Sequence, residues 1–281
     1  MTTERIHRAT SPDGTEIAGR VRGQGPPLVL THAGLGDGDL DCGELASYLE
    51  DQFTCYLAST RNRGLSGRSD DLGEERLIED LVAFVESIGE PAGVASWSGG
   101  AIAVLGAAAR CDAISAVAVH EPIVFEVFDE EDNARLDAAV AHMAALAEQG
   151  RLTEAARDWL PDWANEQELA ALAASGYSEA AGAYVPVLLG QIEQVPEDHA
   201  SSPTDPAQLA RITAPVLVLQ GSETDRRMFV DSVRHVAEHV PSAQVRVVPG
   251  TGHSSMPAQP NKLADELAPF FAAEHAGVAG H

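Results

Sequence analysis

The sequence predicts an α/β fold, with a mostly parallel central sheet that is flanked by helices and interrupted by a helical insertion. Segments of strand character alternate with segments of helical character in the first half of the chain, and the alternation returns near its end. The stretch between, from about Glu126 to Pro206, is rich in alanine and acidic residues and shows no strand pattern. A length of 281 residues suits one large core with an insertion. We therefore assign 1–124 and 206–281 to the core, and 125–205 to a helical insertion.

The predicted strands are short runs of β-branched and apolar residues bounded by turn residues. Pro12, Asp13 and Gly14 form a hairpin signal between the first two runs. The strands are expected at 6–9, 16–21, 27–31, 53–58, 94–96, 114–119, 216–219 and 244–248.

The predicted core helices follow these strands. In the segment 75–88, apolar residues recur at helical spacing and Gly89 stands where a helix commonly ends. A run of small residues over 99–110 favours a helix that packs closely on the sheet. Further helices are expected at 228–240, which Pro241 ends, and at 262–273.

Composition narrows the class of protein. The formal net charge of −25 repels phosphate groups, so neither nucleic acid nor an anionic membrane is expected as a partner. Three cysteines without a paired spacing argue against a disulfide-stapled secreted protein. The N-terminus lacks a signal-peptide pattern, and no apolar run reaches the roughly 20 residues that a membrane span needs. A cytoplasmic protein is the expectation, and the oligomeric state is left open, a homo-oligomer included.

The strongest local signal for chemistry is Ser96-Trp97-Ser98-Gly99-Gly100, between a predicted strand and a small-residue helix. A tight strand-to-helix turn exposes a serine hydroxyl in strained geometry, and such a turn needs small residues two positions before and after the serine. Ser96 and Gly100 meet this need. The N-terminus of the following helix favours negative charge that develops near the serine. Ser98 is therefore the candidate nucleophile.

Together with its neighbours, this motif resembles the α/β-hydrolase family, and the resemblance extends over nearly the whole chain. Thr31-His32-Ala33-Gly34 after a strand is similar to the family's His-Gly motif, with Ala33 in place of the usual glycine. By that resemblance, the backbone N–H groups of Gly34 and Gly99 form an oxyanion hole. The loop from Arg61 to Ser66 resembles a structural loop of the family. The helical insertion falls where the family carries its substrate cap.

The resemblance also implies a base and an acid. His253 stands in a loop after the last strand, where the family carries its catalytic histidine. The family's common position for the acid is three residues after Gly221, where this chain has Thr224; Asp225 comes one residue later. A second position known in the family follows the strand before the cap, where this chain has Glu121. Glu121 and Asp225 both remain candidates, because a triad is defined by geometry rather than by sequence position.

These residues predict a serine hydrolase that acts on a small-molecule ester, thioester or lactone through an acyl-serine intermediate. Two alternatives remain: carbon–carbon bond hydrolysis or cofactor-free lyase chemistry on the same scaffold, and a non-catalytic ligand-binding protein of hydrolase fold. Trp97, beside the nucleophile, is a candidate for the wall of the substrate pocket. No cofactor and no metal are expected; we interpret the pair His235 and His239 as part of an amphipathic surface helix.

Overall fold

In the computed structural model, residues 5–195 and 202–278 are described. Outside these ranges lie residues 1–4 and 279–281, which include both predicted termini of the core, and residues 196–201 of the predicted insertion. Eight strands form one sheet in the order β1-β2-β4-β3-β5-β6-β7-β8. Strand β2 is antiparallel to β1 and β4, and all other neighbours are parallel. The strands are β1 (Arg5–Thr10), β2 (Glu16–Gly23), β3 (Pro27–Thr31), β4 (Thr54–Ser59), β5 (Ala92–Trp97), β6 (Ile114–His120), β7 (Val216–Gly221) and β8 (Ala243–Val248).

Helices cover both faces of this sheet, because successive residues of a strand point to opposite sides. Val29 of β3 packs into the cluster formed with the helices at 74–86, 100–108 and 227–239, whereas Leu28 and Leu30 pack into the cluster formed with the helices at 38–49 and 260–278. The predicted α/β architecture is thereby confirmed. The core helices are α1 (Gly38–Leu49), α2 (Glu74–Glu86), α3 (Gly100–Ala108), α9 (Pro206–Leu209), α10 (Arg227–His239), α11 (Ser255–Ala258) and α12 (Pro260–Val278).

A helical segment, residues 125–195, connects β6 towards β7 and contains no strand. It builds its own apolar core, which also takes in Leu35 from the loop after β3. The segment therefore packs directly on a loop at the carboxyl edge of the sheet. Its elements are the 3₁₀ turns Phe125–Val127, Leu160–Asp162 and Gly182–Tyr184, and the helices α4 (Glu130–Glu148), α5 (Leu152–Trp159), α6 (Glu166–Ser175), α7 (Tyr177–Ala181) and α8 (Val185–Glu193). Within the described ranges, no helix combines the length and apolar character that crossing a bilayer requires.

The sequence analysis did not predict α1. The signal was present: Asp37 caps the helix by accepting a hydrogen bond from the backbone N–H of Leu40, and Cys42, Leu45 and Leu49 then recur on a buried face. The omission matters because α1 carries a residue of the site described below.

The loop that resembles the structural loop of the family is held by a buried ion pair. The Arg61 guanidinium is fully buried and donates to both carboxylate oxygens of Asp80, at 2.8 and 2.7 Å. It also donates to Asp13 at 2.8 Å and to the backbone carbonyl of Asp71 at 2.9 Å. These contacts from one side chain connect the loop to the β1–β2 hairpin, to α2 and to the segment that precedes α2.

We expect Arg61→Ala to lower the free energy of unfolding by about 3–5 kcal/mol, because the substitution leaves the Asp80 carboxylate buried without its cation. Urea denaturation measures this loss. Arg76→Ala is the matched control: solvent screens its ion pairs with Asp71 and Glu79, so their loss is expected to change the free energy of unfolding much less. Equal losses in the two variants would contradict the assignment.

Candidate active site

Ser98 lies in a strained turn between β5 and α3. Its backbone is left-handed, with φ = 53°, a conformation that residues other than glycine rarely adopt. The turn is held by the Ser98 N–H, which donates to the His120 carbonyl at 3.0 Å, and by the Ile123 N–H, which donates to the Ser98 carbonyl. The predicted strand-to-helix turn is thus present, and it presents the Ser98 hydroxyl to His253.

Three side chains form a hydrogen-bonded relay at this edge. Ser98 Oγ lies 2.9 Å from His253 Nε2, and His253 Nδ1 lies 3.1 Å from Glu121 Oε2. His253 and Glu121 are both buried, with exposed side-chain fractions of 4% and 0%. An imidazole in this position can accept the serine proton at Nε2 while its Nδ1–H donates to the carboxylate.

Glu121 follows β6 directly and also has a left-handed backbone, with φ = 42°. Its second oxygen, Oε1, accepts from the backbone N–H of Gly221 at 2.8 Å and from Thr224 Oγ1 at 2.5 Å. Burial by itself would raise the pKa of Glu121. The hydrogen bond from His253, the charges of His120 and His253, and the hydrogen bond from Thr224 lower that pKa below its ordinary value. The carboxylate is therefore held in its ionised form.

The other candidate acid, Asp225, is not brought to His253. Its side chain is 89% exposed and lies 3.9 Å from Arg226. Thr224, which occupies the family's common position for the acid, supports Glu121 instead. Of the two alternatives left open by the sequence, only Glu121 contacts the imidazole, and the reason is that the β7–α10 loop directs Asp225 into solvent.

The loop after β3 brings Gly34 to the same cavity as Ser98 and Gly99. His32 Nε2 accepts from the backbone N–H of Thr60 at 3.0 Å, so its proton is on Nδ1, which donates to the Ala33 carbonyl at 2.7 Å. Burial, then the nearby Arg63 charge, lowers the pKa of His32 to about 3, so the ring is neutral. The Ala33 carbonyl and the Gly34 N–H share one trans peptide and point in opposite directions. The His32 ring thereby sets the direction of the Gly34 N–H.

Arg63 holds the same loop from another side. Its buried guanidinium donates to the carbonyls of Gly34 and Gly36, at 2.6 and 2.8 Å, and to Gln191 of the helical segment at 2.9 Å. Burial lowers the pKa of Arg63 to about 10, above the neutral range, so the group stays charged. The carbonyls of Ala33, Gly34 and Gly36 are therefore all bound by side chains, which holds the loop in one conformation.

A buried carboxylate of the helical segment holds the histidine loop. Glu168 accepts from the Gly252 N–H at 3.0 Å and from Ser255 Oγ at 2.6 Å, on either side of His253. The same carboxylate completes the capping box of α6 with Asn165. Sequence analysis missed this role, although the Asn165–Glu168 spacing is a capping-box signal.

Aromatic rings orient the imidazole. Phe229 of α10 stacks on His253 with ring centroids 3.7 Å apart and an interplanar angle of 14°. Trp97 lies on another side, at 5.6 Å, and Trp163 of the helical segment packs edge-on against Phe229. Stacking leaves the in-plane nitrogens of His253 free to contact Ser98 and Glu121.

A cavity of about 350 Å³ opens above Ser98, between the sheet edge and the helical segment, a volume in the range of small-molecule sites. Trp97 is among the residues that line it. The wall is otherwise largely apolar, and none of the described residues that form it is lysine or arginine. Apolar side chains in the wall are Leu35, Ile123, Phe125, Phe128, Leu136, Trp159, Leu160, Trp163, Leu188, Ile192, Val195 and Met228.

A smaller cavity of about 130 Å³ adjoins the first. Both include Gly34, Gly99 and Leu188 in their walls, and the smaller one continues towards Leu77 and Phe84 of α2. An apolar cavity of similar size is known to accept a ring the size of benzene.

No group of three or more His, Cys, Asp or Glu residues converges as a metal site within the described ranges. His235 Nε2 instead lies 2.9 Å from the Thr204 carbonyl, and His239 Nδ1 lies 2.8 Å from the His235 carbonyl. Both rings are therefore engaged with backbone carbonyls.

Comparison with known proteins identifies the family. The sequence profile of the Alpha/beta hydrolase family matches residues 28–266, so the chain belongs to this family and to the enzyme class of hydrolases. A search of curated proteins found no match.

Among solved structures, the chain is similar to an alpha/beta hydrolase from Sphaerobacter thermophilus DSM 20745, with 27% identity and a TM-score of 0.73 over 94% of this chain and 100% of that one. It also resembles an esterase from Rhodococcus sp. ECU1013, with 21% identity and a TM-score of 0.77 over 95% and 98% of the two chains. A third similar structure is the 2-hydroxy-6-oxo-6-phenylhexa-2,4-dienoate hydrolase from Rhodococcus sp. strain RHA1, with 18% identity and a TM-score of 0.74 over 96% and 100%. The last two likenesses show the fold alone.

We expect Gly100→Ala to prevent or strongly impair folding, because a Cβ at this position would lie 2.0 Å from the His32 carbonyl oxygen and 2.7 Å from Ser96 Oγ. The neighbouring Gly99→Ala is the matched control, since its Cβ would meet no atom within 4 Å and its φ of −62° is ordinary. Thermal unfolding of the two variants measures the difference. A Gly100→Ala protein as stable as Gly99→Ala would show that the turn can open, against the close approach of α3 to the loop after β3.

Proposed function

We propose that the protein is a serine hydrolase that cleaves an ester, thioester or lactone of an uncharged, apolar small molecule through an acyl-serine intermediate. The observation that carries the proposal is the relay from Ser98 through His253 to Glu121, which opens into an apolar cavity. In this proposal Ser98 is the nucleophile, His253 the general base and Glu121 the triad acid.

The chemistry follows from the positions of the protons. Ser98 Oγ attacks the substrate carbonyl while His253 Nε2 takes its proton, and the Glu121 carboxylate stabilises the resulting imidazolium. The carbonyl oxygen becomes an oxyanion, which the N–H groups of Gly34 and Gly99 stabilise. His253 then returns the proton to the leaving group. A water molecule, activated by the same imidazole, hydrolyses the acyl-serine.

The cavity wall favours an uncharged substrate. The helical segment supplies much of that wall, and we propose that it acts as the substrate cap. An anionic group would lose its hydration in this apolar cavity without gaining a cationic partner among the residues that line it, and the net charge of −25 would also repel it. The dienoate named for the Rhodococcus sp. strain RHA1 hydrolase carries such an anionic group. Ester hydrolysis is therefore favoured here over carbon–carbon cleavage of that substrate class.

We expect a fluorophosphonate to label Ser98 covalently, because the phosphorus is attacked by the activated hydroxyl, and we expect no label on folded Ser98→Ala. Intact-mass and peptide mass spectrometry check the site.

We expect measurable turnover of neutral p-nitrophenyl butyrate. The kcat/KM for the p-nitrophenyl monoester of succinate, which carries an additional carboxylate, is expected to be lower than the kcat/KM for the butyrate. A folded wild-type protein that neither labels nor turns over these esters would favour the non-catalytic, ligand-binding alternative.

We expect Glu121→Gln to lower kcat by about 10³–10⁴-fold, because the amide removes the charge that stabilises the imidazolium and can favour the wrong tautomer. Asp225→Asn is the control, expected to stay within about twofold of wild type since its side chain is exposed. Steady-state kinetics on p-nitrophenyl butyrate compare the two. The reverse ranking of the variants would transfer the role of acid to Asp225.

A further inference from the structure

The backbone beside Gly34 depends on one buried carboxylate. Asp41 of α1 is 2% exposed, and its Oδ2 accepts a hydrogen bond from the Ala33 N–H at 2.9 Å. The Ala33 carbonyl is held by His32, and the Gly34 carbonyl by Arg63. Ala33 therefore has both of its backbone polar groups bound, and Asp41 supplies the only carboxylate among these contacts.

Asp41 also contacts the strand that carries the nucleophile. Trp97 Nε1 donates to the same oxygen, Oδ2, at 3.0 Å, and Trp97 immediately precedes Ser98. One oxygen atom thus joins the loop of Gly34 to the turn of Ser98. The relative position of the two proposed oxyanion donors, which lie on these two elements, depends on this atom.

The other oxygen faces the helical segment. Asp41 Oδ1 accepts from the Tyr177 hydroxyl at 2.9 Å, and Tyr177 is itself buried in the core of that segment. The segment also touches the loop through Leu188, whose Cδ1 would lie 3.0 Å from a Cβ on Gly34. The carboxylate therefore contacts the loop of Gly34, the strand that leads to Ser98 and the helical segment.

Stability alone does not account for a carboxylate in this position. Its three hydrogen-bond donors are uncharged, and burial of a carboxylate costs free energy that neutral donors offset only in part. Burial raises the pKa of Asp41 to about 6, although its hydrogen bonds act in the opposite direction. The carboxylate is thus kept buried at a cost in free energy, and the hydrogen bonds that it accepts order the loop.

We propose that Asp41 is a positioning residue for the oxyanion hole, and that through Tyr177 it makes the geometry of the hole depend on the docked helical segment. This inference rests on the serine hydrolase function proposed above. Asp41 does not touch the substrate; it acts through the Ala33 peptide and the Trp97 indole. An oxyanion forms only in the transition state, so loss of Asp41 lowers kcat and leaves KM nearly unchanged.

The test compares Asp41→Ala with Asp41→Asn. The amide of asparagine can accept from Ala33 and Trp97 with its oxygen and donate to the Tyr177 oxygen with its nitrogen, so it preserves the three contacts. We expect kcat on p-nitrophenyl butyrate to fall about 100-fold in Asp41→Ala and to recover to within about fivefold of wild type in Asp41→Asn. Tyr177→Phe, which removes a single contact from the side of the helical segment, is expected to lower kcat several-fold.

Asp39→Ala is the matched control, because Asp39 lies in the same first turn of α1 but forms a half-buried ion pair with Arg20 and does not contact Ala33, Trp97 or Tyr177. It is expected to keep the wild-type kcat. Thermal unfolding of each variant separates loss of folded protein from loss of rate. If Asp41→Ala does not fold, Asp41→Asn and Tyr177→Phe still decide the question: Tyr177→Phe with an unchanged kcat and unchanged loop exchange would overturn the proposal.

Hydrogen–deuterium exchange of the peptide that spans 31–36 provides a readout that does not require activity. We expect faster exchange in Asp41→Ala, with wild-type exchange in Asp41→Asn and Asp39→Ala. Failure of wild-type protein to label or turn over esters would refute the proposed function, while the exchange data would still decide whether Asp41 positions the loop. Unchanged exchange and unchanged kcat in folded Asp41→Ala, or equal losses in Asp41→Ala and Asp41→Asn, would overturn the proposal.

Discussion

Two adjacent parallel strands end in left-handed residues, and the candidate site depends on this pair of turns. Trp97 of β5 lies opposite His120 of β6, so Ser98 and Glu121 are the residues that follow the last paired positions. Each has a positive φ, which costs about 1–2 kcal/mol for a residue with a side chain. The strain is offset locally by hydrogen bonds, since the Ser98 N–H donates to His120 and the Glu121 N–H donates to Leu219. The sheet register thereby fixes the separation of hydroxyl and carboxylate, and the loop after β8 needs only to place one imidazole between them.

Buried carboxylates then organise what surrounds this pair. Glu121, Asp41 and Glu168 are all buried, and each has its oxygens occupied by hydrogen-bond donors. They serve different elements: Glu121 the imidazole, Asp41 the loop of Gly34, and Glu168 the loop of His253. Two of the three also connect to the helical segment, Asp41 through Tyr177 and Glu168 as a residue of α6. The segment that forms much of the cavity wall is consequently also part of the support of the site.

Features that depend on residues close together in the sequence were predicted better than features that depend on contacts between distant segments. Strand β3 was predicted at its observed bounds, and the other strands and the long core helices to within a few residues, because their periodicities are local. The first helix was overlooked, although Asp37 and the apolar residues that follow it carry the usual signals. Ser98 lies in its predicted strand-to-helix turn, since small flanking residues mark such a turn within five positions. His253 stands after the last strand, as its place in the chain indicated.

By itself, the sequence determined the α/β fold, the helical insertion, the turn at Ser98 and the loop at His253, because each is encoded by neighbouring residues. Only the tertiary structure shows that Glu121, and not Asp225, contacts His253, since that contact spans 132 positions of the chain and depends on how the β6 and β7 ends lie side by side. The same holds for Asp41, whose partner Tyr177 is 136 positions away. A short motif carries information about its own backbone, whereas the partner of a buried carboxylate is set by packing of elements that are remote in sequence.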